Sequence, residues 1–382
     1  MLIMLPTDFG IGAALAVFLN WLSLIPFRRS EGKHWTERAR VLYPARVSAG
    51  WNAWLVPAVV VLSQRLVIPE QEFSWLPIAL ASWLGTLAGG YFFIREIFPS
   101  TTVSEWFRET LVTWGLSIGW WGFFITIAAV MPTSIGWVNW LLIGLYLAAT
   151  ICWTFGGLIW CLKVFGRVQP VPEKVRRIVE SVSNQMQVPV RRIWLMQGRR
   201  ASAFAFPYTR DLFFSEELVA NFPTEEIAAI CAHELGHLCE SRFVLICRLS
   251  GSIASLPLLF VRPIFHRWGV GGVFSAAGAY WIGSLFLQKL ARDMEVRADK
   301  IAKTYEGPPG VYARALGRIY EQNLVPAVLE QKHTHPHLYD RLVSAGVMAD
   351  YPRPEPADGR SFLRYFLWLV IFILFAKNFF GL

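Results

Sequence analysis

Long apolar stretches alternate with short polar segments along most of this chain. Eight stretches are long enough for a helix that crosses a bilayer, since a helix rises about 1.5 Å per residue and the hydrocarbon core is about 30 Å thick. They lie at roughly 8–27, 48–66, 73–94, 111–132, 137–162, 245–262, 268–289 and 361–380. The pattern therefore predicts eight membrane spans, five of them ahead of the first long polar segment.

Two polar segments divide the apolar chain into parts. We predict an N-terminal membrane domain of about five spans (1–166), a first polar part (167–241), a transmembrane helical hairpin (242–290), a second polar part (291–360) and a C-terminal span (361–382). The tip of the hairpin is expected around Arg262, His266 and Arg267.

The first polar part has patterns of both helix and strand. Helical spacing covers 173–187, short strands are expected at 191–196, 203–206 and 212–214, and Thr224 is predicted to cap a further helix. The predicted fold is therefore mainly α, a polytopic helical membrane protein with a small α+β domain.

Composition and charge agree with the membrane prediction. Hydrophobic residues make up 54% of the 382 residues and charged residues only 16%, which is typical of a chain that spans bilayers. The net charge of +9 is concentrated in loops beside apolar stretches, at 28–46 and 163–177, so these loops are expected in the cytoplasm together with both polar parts. No basic stripe interleaved with aromatic residues indicates nucleic-acid binding, and no pattern predicts an oligomer. The five cysteines form no CxxC pair, which argues against a cysteine zinc site.

The sequence His233-Glu234-Leu235-Gly236-His237 lies on the last predicted helix of the first polar part. Histidines four residues apart share one helix face, so both imidazoles can bind one metal ion while Glu234 faces water beside it. The pattern is typical of zinc peptidases, in which the glutamate is the general base. Taken alone, it also fits an ordinary amphipathic helix with structural histidines.

A zinc peptidase needs a third protein ligand, because the fourth position is kept for water. Glu240 and Phe243 stand where a metzincin has a glycine and its third histidine. Cys231 and Cys239 are each two residues from a motif histidine, about 200° around the helix and so on the wrong face. The third ligand is therefore expected further along the chain.

Glu295 and Asp299 follow the predicted hairpin and again share one helix face. We expect Glu295 to bind zinc, and Asp299 to accept the N–H of a ligating histidine and so set its tautomer. A solvated face paired with Arg292 or Arg297 is the alternative for these acids alone. The hairpin favours the metal site, because it returns the chain to the membrane face where His233 and His237 lie.

The order of three motifs resembles the membrane zinc metallopeptidases that include the type I CaaX prenyl proteases and the HtpX-like proteases. The motifs are His233 to His237, Glu295 to Asp299, and His335-Pro336 with Arg341, and the resemblance covers roughly residues 170–345. The five preceding spans are more similar to the prenyl proteases than to the shorter HtpX proteins. The resemblance implies a gluzincin-like domain at the cytoplasmic face, built from both polar parts, with one Zn²⁺ per chain.

The same resemblance implies two further groups at the site. His335 and Arg341 would stabilise the oxyanion that forms as water attacks the scissile carbonyl; within the same polar turn, His333 and His337 are alternatives to His335.

A second implied feature is an edge strand beside the zinc, where the family tends to have an Asn-Ala pair. This sequence has Ser202, Ala203 and Phe204 there. We expect these residues to bind substrate, because an edge strand can pair with an extended peptide through its backbone.

The expected function is that of a zinc metalloendopeptidase acting on membrane or membrane-tethered proteins, in a bacterial inner membrane with the site facing the cytoplasm. A catalytically silent receptor or sensor on the same fold is the main alternative, which an intact Glu234 argues against. A site-2-type protease would need an aspartate on a span, whereas Asp358 lies in the second polar part.

Overall fold

Helices predominate in the computed structural model, which describes residues 4–68, 73–330 and 337–380. The described helices and strands, in chain order, are α1 (Met4–Ser23), α2 (Ile25–Arg28), α3 (Trp35–Arg65), α4 (Trp75–Ile97), α5 (Val103–Val130), α6 (Trp137–Cys152), a π-helical turn (Trp153–Gly157), α7 (Leu158–Val164), β1 (Val168–Pro170), α8 (Glu173–Met186), β2 (Arg192–Met196), β3 (Ala203–Phe206), β4 (Asp211–Ser215), α9 (Glu216–Asn221), α10 (Thr224–Leu238), α11 (Arg242–Ile253), α12 (Leu256–Leu259), α13 (Val261–Tyr305), α14 (Val311–Gln322), α15 (Leu338–Ser344) and α16 (Phe362–Phe380).

The chain forms two compact units that are not contiguous in sequence. One comprises residues 1–111, 324–331 and 351–382, and the other comprises 112–323 and 332–350. The sequence boundaries predicted at 166, 241, 290 and 360 stay predictions.

Seven helical segments of the described chain are long and apolar enough to cross a membrane. They are Leu5–Ser23, Trp35–Arg65, Trp75–Ile97, Val103–Val130, Trp137–Val164, Arg242–Leu259 and Val261–Tyr305. The eighth predicted span falls on α16, where the apolar part of the helix is the shorter Tyr365–Leu374. This arrangement is that of a multi-pass membrane protein with mainly helical structure.

In the first unit, glycines let α1 and α4 pack closely. A Cβ added to Gly89 would lie 2.7 Å from the carbonyl oxygen of Ala13, so only glycine permits this approach. Asn52 also donates a hydrogen bond to Asn20 across α3 and α1 at 3.0 Å. Small residues and buried amide pairs of this kind are typical of helices that associate within a bilayer.

The second unit contains a four-stranded sheet with the order β1-β2-β4-β3. β2 and β4 are parallel, while β1 and β3 run antiparallel to their neighbours, which leaves β3 at an edge. All five residues of β4 are buried, because α8 and α10 pack on one face of the sheet through side chains such as Val175, Val179 and Leu235. The predicted strands at 191–196, 203–206 and 212–214 and the helix at 173–187 are confirmed to within about a residue.

The residues predicted for the hairpin tip are helical. Arg262, His266 and Arg267 lie in the first part of the 45-residue helix α13, ahead of its kink. α13 is kinked at Gly269, where φ is 60°, a value that favours glycine. Beyond the kink it packs on α11, where the Leu287 side chain lies against Gly251, and it then continues through Glu295 and Asp299. One helix therefore joins a candidate span to the second motif.

Candidate metal centre

Helix α10 carries the first motif and lies in the core of the second unit. It begins after Pro223, whose carbonyl accepts the first helical hydrogen bond from Ile227 at 3.0 Å. The prediction that Thr224 caps this helix is wrong, because Thr224 is already helical and no side chain caps the first turn. Every residue from Ala229 to Leu238 is buried, so His233, Glu234 and His237 are held by packing on nearly all sides.

Three side chains converge as possible metal ligands: His233, His237 and Glu295. Nε2 of His233 lies 3.5 Å from Oε2 of Glu295, and Nε2 of His237 lies 3.6 Å from Oε1 of the same carboxylate. Two ligands about 2.1 Å from a tetrahedral zinc are separated by about 3.4 Å, so these distances fit a Zn²⁺ ion. Their roles as ligands stay predictions, but the structure brings together the three residues that the motifs indicate.

Gly236 allows this convergence. A Cβ added to Gly236 would lie 3.2 Å from Cα of Ala298, closer than almost any real side-chain contact. The absence of a side chain between the two motif histidines therefore lets α13 approach α10 until Glu295 reaches both imidazoles.

The other nitrogen of His233 is held by a buried polar cluster. Nδ1 lies 3.2 Å from Oδ1 of Asp299 and 2.7 Å from the hydroxyl oxygen of Tyr312, which itself donates to Asp299 at 2.6 Å. Arg341 donates through Nε and Nη2 to the two carboxylate oxygens of Asp299, and Nη2 also donates to the Tyr312 hydroxyl at 2.8 Å. Asp299 thus has the partner that the sequence predicted, and Nε2 of His233 is left facing Glu295.

His237 has a corresponding partner on the opposite side. Its Nδ1 lies 3.1 Å from Oε1 of Glu240, and the same oxygen accepts a hydrogen bond from Arg248. Both motif histidines therefore point Nε2 at the shared carboxylate of Glu295 while Nδ1 contacts an acid.

The charge of this cluster fits a cation. Burial alone would lower the pKa of His233, but its hydrogen bonds with Asp299 and Glu295 raise that pKa to about 9. A proton held this firmly reflects excess negative charge around the imidazole, which a divalent metal ion would also balance.

Glu234 lies beside the three candidate ligands but is not one of them. Burial raises the pKa of its carboxyl group, and the nearby His233 and His237 oppose that shift. The carboxylate also receives a hydrogen bond from the backbone of Ala205 in β3. This contact sets Glu234 between the candidate metal ligands and the edge strand.

The predicted substrate residues lie on and beside that strand. Ser215 N–H donates to the Ser202 carbonyl at 2.9 Å, and hydrogen-bonded and non-bonded pairs alternate in an antiparallel ladder. The backbone polar groups of Ala203 and Ala205 therefore face the open edge. The ring of Phe204 stacks on Phe213 with centroids 4.8 Å apart, and in this register its backbone N–H and C=O face β4. Phe204 therefore supports the sheet, and the substrate contact predicted for it stays a prediction.

The third motif is only partly described. His333 and His335 lie outside the described residues, and the prediction for His335 stays a prediction. His337 precedes α15 as its N-cap residue. Arg341 is buried, and its guanidinium is bound to Asp299 and Tyr312, so the structure shows it orienting Asp299 instead of facing the edge strand; the direct oxyanion contact predicted for it stays a prediction.

Two functional candidates were missed from sequence. Tyr312 lies at the start of α14 and Asp299 near the end of α13, with a turn between the two helices, so no local spacing connects them. Glu240 follows His237 by three residues, a spacing that places side chains side by side on a helix, and this signal was available.

Comparison with known proteins agrees with this geometry. Residues 171–346 match the family model described as peptidase family M48. Over this segment the chain is similar to the peptidases of family M48. The matched segment contains the sheet, His233 to His237, Glu295 to Asp299 and Arg341, and the predicted family resemblance is thereby confirmed.

Relatives of this chain come from both predicted subgroups. A protease HtpX homolog of Trichormus variabilis is 29% identical over 216 residues, covering 50% of this chain and 74% of the relative. Protease HtpX of Hahella chejuensis is 24% identical over 193 residues, covering 44% of this chain and 65% of the relative. CAAX prenyl protease 1 of Saccharomyces cerevisiae is 20% identical over 302 residues, covering 66% of each chain.

The similarity to family M48 and the apolar helices together define the protein as a multi-pass membrane metallopeptidase. Peptidases of this family use zinc, and the donor atoms of His233, His237 and Glu295 are of the kind and spacing that zinc requires.

Proposed function

We propose that this protein is a zinc metalloendopeptidase that hydrolyses peptide bonds of membrane proteins or membrane-tethered peptides, with Glu234 as general base. The observation that carries the proposal is the position of Glu234, which is buried between the three candidate ligands and an open strand edge. Similarity to the family supports peptide-bond hydrolysis, whereas the substrate class and the residue roles are our proposal.

One zinc ion per chain would be held by His233, His237 and Glu295. Zinc bound there would polarise the scissile carbonyl and lower the pKa of a water molecule. Glu234 would accept the proton of the attacking water and deliver it to the leaving amine. Burial raises the pKa of its carboxyl group, which strengthens it as a base for the first of these transfers.

Substrate would bind as an extended strand along β3. The outward N–H and C=O groups of Ala203 and the outward C=O group of Ala205 provide backbone pairing, with Ser202 at the start of the same edge. A peptide paired there passes Glu234, because the Ala205 backbone already contacts that carboxylate. We propose that His335 stabilises the oxyanion.

A membrane-tethered substrate is proposed from the continuity of α13. This helix contains both a candidate span and the ligand Glu295, so the bilayer and the site are joined by rigid structure. We propose a bacterial inner membrane with the site in the cytoplasm, since the basic segments at 28–46 and 163–177 favour that side.

The test compares wild-type protein with Glu234→Gln, and uses Glu225→Gln as the matched control because Glu225 is an exposed glutamate on the same helix. Zinc content is measured in purified protein, and cleavage is measured in membranes with two reporters that carry the same loop on opposite faces. We expect about one zinc per chain in all three proteins, and a loss of cleavage by roughly 10²–10⁴-fold only in Glu234→Gln.

Each departure from this result is informative. Absence of zinc from wild-type protein refutes the metal site, and equal cleavage by Glu234→Gln refutes the general base. Zinc binding without cleavage by wild type supports the silent receptor. Cleavage of the reporter loop only on the face away from the cytoplasm refutes the proposed orientation.

A further inference from the structure

Glu240 is a buried carboxylate directly after α10. Its side chain is 2% exposed, although the sequence places it in a polar stretch. Its Oε1 atom contacts Nδ1 of His237 at 3.1 Å and accepts a hydrogen bond from Arg248. A carboxylate removed from water to this extent needs compensating charge and hydrogen bonds. These two contacts provide them at Oε1, whereas Oε2 is buried with no hydrogen-bond partner among the described residues.

The order of groups repeats what is found at the other histidine. There, Arg341 holds Asp299, and Asp299 contacts Nδ1 of His233. Here, Arg248 holds Glu240, which contacts Nδ1 of His237. Both histidines are thus presented to Glu295 by an arginine-held carboxylate.

We propose that Glu240 is a positioning residue for the metal centre. It accepts the Nδ1–H of His237 and so directs the Nε2 lone pair toward the metal position that His237 shares with Glu295. This inference rests on the proposed zinc site. A carboxylate partner of this kind fixes the tautomer and ring orientation of a ligating histidine and makes it more basic.

Arg248 gives the arrangement a second consequence. It lies on α11, a candidate membrane-spanning segment in the first arm of the hairpin. Its hydrogen bond to Glu240 connects that arm to His237. The hairpin therefore takes part in the metal centre from both arms, because α13 in the second arm carries Glu295.

A purely structural role for Glu240 makes different predictions. If Glu240 only neutralises Arg248 and anchors α11, its loss destabilises the protein without altering zinc binding. Glu226 offers a matched comparison, because it is also a buried glutamate bound by an arginine and it lies on α10. Arg318 donates to its carboxylate at 2.8 Å. Unlike Glu240, Glu226 has no hydrogen bond to a histidine among the described residues.

The experiment measures zinc affinity by competition with a chelator in Glu240→Gln, Glu240→Ala and Glu226→Gln, alongside the thermal midpoint of each metal-free protein. We expect Glu240→Ala to bind zinc about 10–100-fold more weakly than wild type. The zinc affinity of Glu240→Gln should lie between those of wild type and Glu240→Ala, because its amide oxygen still accepts a hydrogen bond from Nδ1–H but carries no charge. Glu226→Gln should lower the thermal midpoint and leave zinc affinity within about twofold of wild type.

A spectroscopic readout separates positioning from stability. The visible spectrum of cobalt-loaded protein reports ligand geometry, and it should change in both Glu240 variants but not in Glu226→Gln. Wild-type zinc affinity and an unchanged cobalt spectrum in both Glu240 variants would overturn the inference while leaving the zinc site intact. Absence of zinc binding in wild-type protein would instead overturn the proposed function itself. If Glu240→Ala does not fold, the comparison of the two glutamine variants decides.

Discussion

Replacing Tyr312 with phenylalanine removes one oxygen atom from the centre of the cluster that holds His233. The hydroxyl lies 2.7 Å from Nδ1 of His233, donates to Asp299 at 2.6 Å and accepts from Arg341 at 2.8 Å. The aromatic ring remains, and it should keep its stacking on His233, with centroids 5.6 Å apart. The change is therefore confined to hydrogen bonding.

The expected loss follows from what stays behind. Leaving buried partners of a hydroxyl unsatisfied costs about 1–3 kcal/mol. Asp299 retains both its contact with His233 at 3.2 Å and its paired hydrogen bonds with Arg341, so the lower part of that range applies. A loss of about 1–2 kcal/mol corresponds to zinc affinity roughly 5–30-fold weaker than wild type.

Tyr320→Phe is the matched control. Tyr320 is on the same helix and also hydrogen-bonds Arg341, whereas the hydrogen bonds to His233 and Asp299 are those of Tyr312. Chelator competition with purified Tyr312→Phe, Tyr320→Phe and wild type measures the difference. We expect a weaker site only in Tyr312→Phe. Wild-type affinity in Tyr312→Phe, or an equal loss in Tyr320→Phe, would refute the assignment of the hydroxyl to His233.

Two further predictions concern the same site. Because hydrogen bonding raises the pKa of His233 from 6.5 to about 9 despite burial, the resulting stability is complete below pH 6.5 and lost as pH rises through 9. The thermal midpoint of metal-free wild type should therefore fall across that interval relative to His233→Gln; parallel profiles for the two proteins would contradict this. Gly236→Val should push α10 away from α13 at Ala298, since even a Cβ would lie 3.2 Å from that backbone. The strain of about 1–3 kcal/mol should weaken zinc binding roughly 5–100-fold in chelator competition. Unchanged affinity would show that the two helices need no close contact.

Local periodicity made much of the fold predictable. Seven of the eight predicted apolar stretches coincide with described helices that are long and apolar enough to cross a membrane, because a bilayer-spanning helix requires about 20 apolar residues wherever it occurs. The ends were less accurate: α3 begins at Trp35, well before the predicted start at 48, since its polar first part is helical without being apolar. The residues predicted for the hairpin tip are also helical.

The candidate site was predictable to the extent that its residues are close in sequence. His233, Glu234 and His237 share one helix, and Glu295 and Asp299 share another, so spacing alone indicates that each group acts together. That the two groups meet was inferred from motif order, and the structure brings them within ligand distance through the close approach at Gly236.

Sequence by itself therefore determined where the long apolar helices lie and which residues are candidates for the metal ligands and the base, because these depend on residue type and helical period. Tertiary structure alone decided that Tyr312 and Arg341 hold Asp299, and that Glu240 reaches His237 while bound to Arg248. Such contacts join residues from different elements, and their geometry is set by how those elements pack. No spacing along the chain encodes that packing, so the groups that orient the ligands became visible only in the folded protein.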